Sequence, residues 1–168
     1  MADPLEIERK YIIEIPEESV MQCAEEYSKS HILQIYLKGE EGLTHRIRKR
    51  IFEDVTEYTE TTKIRLDAMT AIENERVITE EEFLNLEKNI KEGTRPIYKI
   101  RHTFVFEEQV FEVDVYPEWK NSCILETELN NKETRVVFPT FINIIKEVTG
   151  IKGYSNAQMS MDFPKEII

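Results

Sequence analysis

Polar and apolar residues alternate with period two over much of this chain, the pattern of strands whose two faces meet different surroundings. The spans 5–15, 32–38, 43–52, 57–67, 71–78, 97–106, 109–117 and 123–130 are rich in Ile, Val, Tyr, Phe and Thr and are expected as strands. The clearest is Ile97 to Phe106, with Lys99, Arg101 and Thr103 on one face and Tyr98, Ile100, His102 and Phe104 on the other. Three segments change to helical spacing. Pro16 and Glu17 open one expected to reach about His31, with Val20, Met21, Ala24 and Tyr27 as its apolar stripe. Thr79 and Glu82 have capping-box spacing and start a second to about Ile90, burying Phe83, Leu86 and Ile90 and ending before Gly93. Pro139 starts a third, with Phe141, Ile144, Ile145 and Val148 on one face and Gly150 at the C′ position.

Turns are marked by Gly39 and Gly42, by Glu107-Glu108 and by Asn130-Asn131. With no linker-like tract or fixed-period repeat, the chain reads as a single domain over 1–168. Eight strands with short connections suggest one antiparallel sheet, and closing it would remove its exposed edges. The expected class is therefore α+β, an eight-stranded antiparallel barrel with helices packed outside.

Composition narrows the setting. The content is 40% hydrophobic and 10% aromatic, ordinary for a folded chain. No apolar run approaches the roughly 20 residues that span a bilayer. The opening Met1 to Glu6 has neither a basic nor an apolar leader region, so a cytoplasmic protein without a membrane partner is expected. Cys23 and Cys123 form no metal-binding spacing and are expected as small buried hydrophobes. His31, His45 and His102 form no His-x-x-x-His pair and are expected to be structural, as are Trp119 and the tyrosines. The formal charge of −11 opposes general nucleic-acid binding, so an anionic ligand must meet a local basic cluster.

Such clusters exist. Acidic pairs at i, i+2 are Glu6/Glu8, Glu73/Glu75, Glu112/Asp114 and Glu126/Glu128. Basic sets at the same spacing are Arg46/Arg48/Arg50, Lys63/Arg65 and Lys99/Arg101, and Lys10 continues the face of Glu6 and Glu8. On a strand these positions share a face, roughly 7 Å apart. A solvated face would mix signs, because like charges side by side repel. Ligands can offset that repulsion: carboxylates attract divalent cations, and Lys/Arg clusters attract a polyanion. Turned into a barrel, these faces would make a wet lumen suited to a phosphate chain and hard metal ions.

Glu6-Ile7-Glu8-Arg9-Lys10 resembles the ExExK signature of the CYTH superfamily, the triphosphate tunnel metalloenzymes. The likeness continues in order through Gln34-Ile35-Tyr36-Leu37, Arg46-Ile47-Arg48, Lys63, Lys99-Ile100-Arg101, Glu112-Val113-Asp114-Val115 and Leu125-Glu126-Thr127-Glu128. It closes with Glu147-Val148-Thr149-Gly150 and Tyr154-Ser155-Asn156. The resemblance implies a barrel that forms a triphosphate tunnel and Mg²⁺- or Mn²⁺-dependent chemistry. It implies metal-site roles for Glu6, Glu8, Glu126 and Glu128, with Asp114 as a further acidic candidate. Lys10, Arg46, Arg48, Lys63, Lys99 and Arg101 would bind phosphate, and Lys152 would add charge at one mouth. Glu6, Glu8, Lys10, Glu126 and Glu128 would form the catalytic set. One departure is Ala71, two residues before Glu73, where many relatives carry arginine. The roles of Glu73 and Glu75 therefore stay open, while Arg50 and Arg65 are expected to be exposed or at the tunnel ends.

The expected activity is metal-dependent hydrolysis of a small-molecule triphosphate, with inorganic tripolyphosphate favoured by the short, compact chain. The alternatives are a class IV-type adenylate cyclase or a thiamine triphosphatase on the same site, and a non-catalytic binder of triphosphate or polyphosphate. The oligomeric state is not read from the residues.

Overall fold

A computed structural model describes Leu5–Ile167. The opening Met1–Pro4, on which the leader reading partly rests, and Ile168 lie outside the described residues. The strands are β1 (Leu5–Glu14), β2 (Glu25–Tyr36), β3 (Leu43–Phe52), β4 (Val55–Arg65) and β5 (Thr70–Ile78), followed by β6 (Ile97–Phe106), β7 (Gln109–Val115), β8 (Ser122–Glu128) and β9 (Ile144–Glu147). The helices are α1 (Glu18–Met21), α2 (Glu80–Glu87) and α3 (Asn156–Met159), with a 3-10 turn at Lys152–Tyr154. Among the described residues no helix is long and apolar enough to cross a membrane.

The sheet order is β5-β4-β3-β2-β6-β7-β8-β1-β9, and a further β1–β5 pairing closes the first eight strands into an antiparallel barrel. Two meanders, β2–β5 and β6–β8, lie side by side through β2 and β6, and β1 is inserted between their free ends. One edge of β1 pairs with β8 from Glu8 to Glu14. The other edge serves two partners, β5 at Leu5, Glu6 and Ile7 and β9 at Tyr11, Ile12 and Ile13.

Two helices differ from the sequence expectation. The segment from Pro16 forms only the four residues of α1, and β2 begins at Glu25. A bulge between Glu25 and Ser28, with Glu26 at φ 52, breaks the alternation there and disguises the strand. The segment after Pro139 forms β9 instead of a helix. Where β5 leaves β1, the edge of β1 offers unpaired backbone groups, and the β-branched Ile144 and Ile145 suit the strand that satisfies them. Gly150 accordingly ends no helix. It sits at φ +74 in a turn so close to Ala68 that an added Cβ would come within 2.6 Å of that residue's Cβ. The helix at Thr79 forms as expected: the Thr79 side chain accepts from Glu82 N–H and Glu82 reaches back to Thr79.

The apolar core lies mostly outside the barrel wall. Tyr11, Phe104, Phe111, Val113, Cys123 and Leu125 project outward and are covered by Met21 of α1 and by Leu129, Val136 and Ile142 after β8. Cys123 is buried as expected, but Cys23, two residues past the end of the four-residue α1, is exposed. Ile35 of β2, Leu37 just after it and Ile47 of β3 pack against Phe83 and Leu86 of α2. A third cluster closes part of one barrel end, where Tyr36, Ile97, Tyr116 and Ile124 meet Trp119, Met159 and Phe163. Because apolar residues fill the outside and one end, the remaining inward positions are free to be charged.

Candidate functional site

Strand alternation carries the charged pairs inward, onto the wall of a cavity of about 1130 Å³. β1 contributes Glu6, Glu8 and Lys10, and β8 contributes Glu126 and Glu128. Register sets these opposite one another, Glu8 against Glu128 and Lys10 against Glu126. Lys10 Nζ lies 3.2 Å from Glu126 and donates to the Tyr154 carbonyl at 3.1 Å. Burial works against the Lys10 charge, but Glu126 and Glu8 outweigh it and raise its pKa. Burial likewise opposes the Glu126 charge, and Lys10 reverses the effect, leaving this carboxyl below its usual range.

β3, β4 and β5 form the opposite wall with Arg46, Arg48, Lys63, Glu73 and Glu75. Lys63 lies 3.9 Å from Glu6 and 3.6 Å from both Glu8 and Glu73, and Arg46 is 3.7 Å from Glu73. These contacts are long for charge-assisted hydrogen bonds, which close to about 2.8 Å. Arg48 donates to the neutral Gln34 amide oxygen at 2.6 and 3.0 Å, and Gln34 in turn donates to the Tyr36 hydroxyl at 2.9 Å. The buried Arg46 Nε has no hydrogen-bond partner among the described residues. Burial, with Arg46 and Arg101 nearby, pushes Arg48 down to about 9, so it remains charged at neutral pH. Burial also opposes the Arg46 charge, but Tyr36, Glu73 and Glu75 outweigh it and raise its pKa, so Arg48 is the guanidinium of this wall that the protein leaves largely uncompensated.

Its carboxylates are crowded in the same way. Burial, then Glu73, push Glu6 up to about 8 against the pull of Lys63. Burial, then Glu8 and Glu73, also raise Glu128. Glu73 thus joins the interior set although its role was open from the sequence. Glu75 lines the cavity too and accepts from the Thr61 hydroxyl at 2.9 Å.

On the third side, β6 presents Lys99 and Arg101, with Glu112 of β7 beside them. Lys99 and Arg101 bind Asp114 at 2.7 to 2.8 Å, and Arg101 Nη1 also reaches Glu112 at 2.7 Å. Asp114, grouped by resemblance with the metal-site acids, is wholly buried and lies outside the cavity lining, its oxygens taken up by these two cations. Burial would raise its pKa, but Arg101 and Lys99 outweigh that and hold it far below the usual carboxylate range.

Lys152 lines one mouth, with the Gly39–Leu43 loop, Arg65, Ala68 and Gly150. Arg50 lies away from the cavity, its guanidinium 5.4 Å from the Phe52 ring centroid. The histidines have structural partners or lie open: His45 meets Glu60 at 2.7 Å, His102 meets the Tyr27 hydroxyl at 2.8 Å, and His31 is exposed. Gln34 was visible only as part of a motif. Its support of Arg48 depends on the β2–β3 register, which sets the two opposite each other.

Among the described residues no three acidic, His or Cys side chains are gathered closely enough to enclose a cation as they stand. The donor chemistry still suits a hard divalent ion, with carboxylate oxygens alone and Glu6, Glu8, Glu73 and Glu128 repelling one another around Lys63.

No family model matches the sequence, and no curated protein does. Solved structures do. The inorganic triphosphatase NE1496 superposes with a TM-score of 0.60 at 25% identity, over 95% of this chain and 96% of that one. The PH1819 protein of Pyrococcus horikoshii shares the fold with a TM-score of 0.59 at 21% identity, over 76% of this chain and 80% of that one. So does a putative adenylate cyclase of Vibrio parahaemolyticus, with a TM-score of 0.52 at 10% identity over 75% and 78% of the two chains. The closed barrel, its inward charged strands and the near full-length likeness to NE1496 place this chain in the CYTH superfamily.

Proposed function

We propose that this protein hydrolyses inorganic tripolyphosphate with the help of Mg²⁺ or Mn²⁺. The observation that carries the reading is the meeting, inside one cavity, of Arg46, whose buried Nε has no hydrogen-bond partner among the described residues, and Arg48, held only by a neutral amide, with the repelling carboxylates Glu6, Glu8, Glu73 and Glu128. Each group lacks what the other kind of ligand supplies, and a metal-bound triphosphate supplies both. The inorganic triphosphatase activity named for the structural relative supports the same reading.

Glu6, Glu8, Glu126 and Glu128 would hold the cation. When bound, it supplies charge neutralisation at phosphate oxygens and a lowered pKa for attacking water. The chain's own part is positional and electrostatic. Arg46, Arg48, Lys63, Lys99 and Arg101 surround the phosphate chain and take up the negative charge that shifts along it as the terminal bridge breaks. Lys10, fixed between Glu126 and the Tyr154 carbonyl, ties β1 to β8 and to the Lys152–Tyr154 turn. Lys152 draws the anion in at the mouth.

The test is orthophosphate release from tripolyphosphate with Mg²⁺ and with Mn²⁺, beside ATP and thiamine triphosphate, using Glu126→Ala as control. Metal-dependent release that the variant loses is the expected result. The cavity has room for an organic group beyond a phosphate chain, so cyclic AMP is measured in the ATP arm. Preferential turnover of ATP to cyclic AMP would replace the reading with a cyclase. Tight tripolyphosphate binding without turnover would make the protein a binder.

A further inference from the structure

Asp114 stands behind the cavity wall and grips two of the cations that form it. Arg101 donates from Nε to Oδ1 at 2.7 Å and from Nη2 to Oδ2 at 2.8 Å, and Lys99 Nζ donates to the same Oδ2 at 2.8 Å. The side chains of Lys99 and Asp114 are 0% exposed. Lys99 and Arg101 line the cavity, whereas Asp114 does not. Register makes this arrangement: Asp114 sits opposite Arg101 on β6 and opposite Ile124 on β8, so an apolar neighbour covers its remaining side. A cation that used Asp114 as a ligand would have to displace both partners and leave them buried without a counter-charge.

We infer that Asp114 is a positioning residue, a buried counter-ion that fixes Lys99 and Arg101 in the wall facing the phosphate chain, and not a ligand of the metal. The inference rests on the triphosphatase reading. It divides the interior acids into two kinds. Glu6, Glu8, Glu126 and Glu128 line the cavity and can change partners, while Asp114 is committed to the wall. Without it, Lys99 would lose its carboxylate partner in a dry interior, and Arg101 would keep only Glu112, which would draw its guanidinium towards β7.

The experiment separates the two ligands. Tripolyphosphate binding is measured by calorimetry in EDTA, and Mn²⁺ binding is measured without triphosphate. Wild type, Asp114→Asn and Asp114→Glu are compared, together with KM and kcat. In Asp114→Asn, metal-free tripolyphosphate affinity should fall and KM rise by about tenfold or more, the scale of one lost charged contact. Mn²⁺ affinity should stay within about twofold of wild type, because the metal-seeking acids are untouched. Asp114→Glu keeps the charge and should recover part of the loss, and it carries the test if the amide variant does not fold. Loss of Mn²⁺ binding with tripolyphosphate affinity retained would make Asp114 a metal ligand. Unchanged affinity and KM in a folded variant would leave it a purely structural residue. Either result overturns the inference. Failure of the wild-type protein to bind tripolyphosphate in EDTA and to hydrolyse it with Mg²⁺ or Mn²⁺ would overturn the triphosphatase reading and this inference with it.

Discussion

On the β6–β7 side of the lumen, Lys99 and Arg101 meet Asp114 at 2.7 to 2.8 Å, with solvent shut out from Lys99 and Asp114. Across the barrel, Lys63 reaches Glu6, Glu8 and Glu73 only at 3.6 to 3.9 Å, in a space open to ligand. The residue types are the same, yet the two walls use them differently. Short, dry pairs consume charge and make a rigid surface. Long, wet pairs leave charge available, and an incoming ligand can take over a partner with little loss. A charged lumen therefore needs both kinds of contact, one to hold the shape and one to bind.

Removing a charge from each wall should expose that difference. Asp114→Ala strands two buried cations and should lower the free energy of unfolding in urea by about 3–5 kcal/mol. Glu8→Gln on the loose side should change it by less than about 1 kcal/mol, since it removes repulsion along with attraction. Equal losses would erase the distinction between the walls. Binding should show the reverse preference. Arg48→Ala should reduce kcat/KM for tripolyphosphate about 100-fold, about 2.7 kcal/mol at the transition state, with little effect on folding. Gln34→Ala, which frees Arg48 without removing it, should cost about tenfold.

The loose wall should also respond to pH. Below pH 4.5 the Glu6 carboxyl is protonated in the folded and unfolded chains alike. Between 4.5 and about 8 only the folded chain keeps the proton, so rising pH works against folding, and above about 8 the penalty is complete. Metal-free protein should lose on the order of 2 kcal/mol across this window, after allowance for screening in a wet lumen. Glu6→Gln should flatten the slope, and Mg²⁺ should raise the melting temperature more at pH 8 than at pH 6. A metal-free protein equally stable at both pH values would contradict the crowding described for this wall. The smallest effect belongs to the outside. Arg76 pairs with Glu60 at 2.6 Å and Glu82 at 3.0 Å, but it is solvent-exposed. Arg76→Ala should leave the urea midpoint unchanged within error, showing that burial and not pairing alone gives the Asp114 contacts their strength.

Much of the barrel was legible because period-two alternation is a local property. The like-charged pairs on β1, β3, β6 and β8 had to share a face, and a closed sheet offered an inside for them. Three things were hidden for reasons that are not local. The first half of β2 lies beyond a bulge, which breaks the alternation that identifies strands. In β9 the spacing of Phe141, Ile144, Ile145 and Val148 also fits a helix, and the open edge of β1 that decides the matter is more than a hundred positions away. The partners of Asp114 depend on register: spacing shows that Glu112 and Asp114 share a face but not that one opens to the cavity and the other to Lys99 and Arg101. The same limit left Glu73 unassigned, although its spacing from Glu75 was plain.

The insertion of β1 between two meanders has a consequence for how the molecule is made. Within β2–β5 and within β6–β8 each strand pairs with its neighbour in sequence, so those contacts can form as the ribosome releases them. β1 emerges before all of these strands, but its long edge must wait for residues 122–128, and the three pairs that complete the hoop join Leu5–Ile7 to Thr70–Ile72. The strand carrying Glu6, Glu8 and Lys10 is therefore born early and seated late. For much of synthesis it is an unmated edge for which the nascent chain has as yet no finished place.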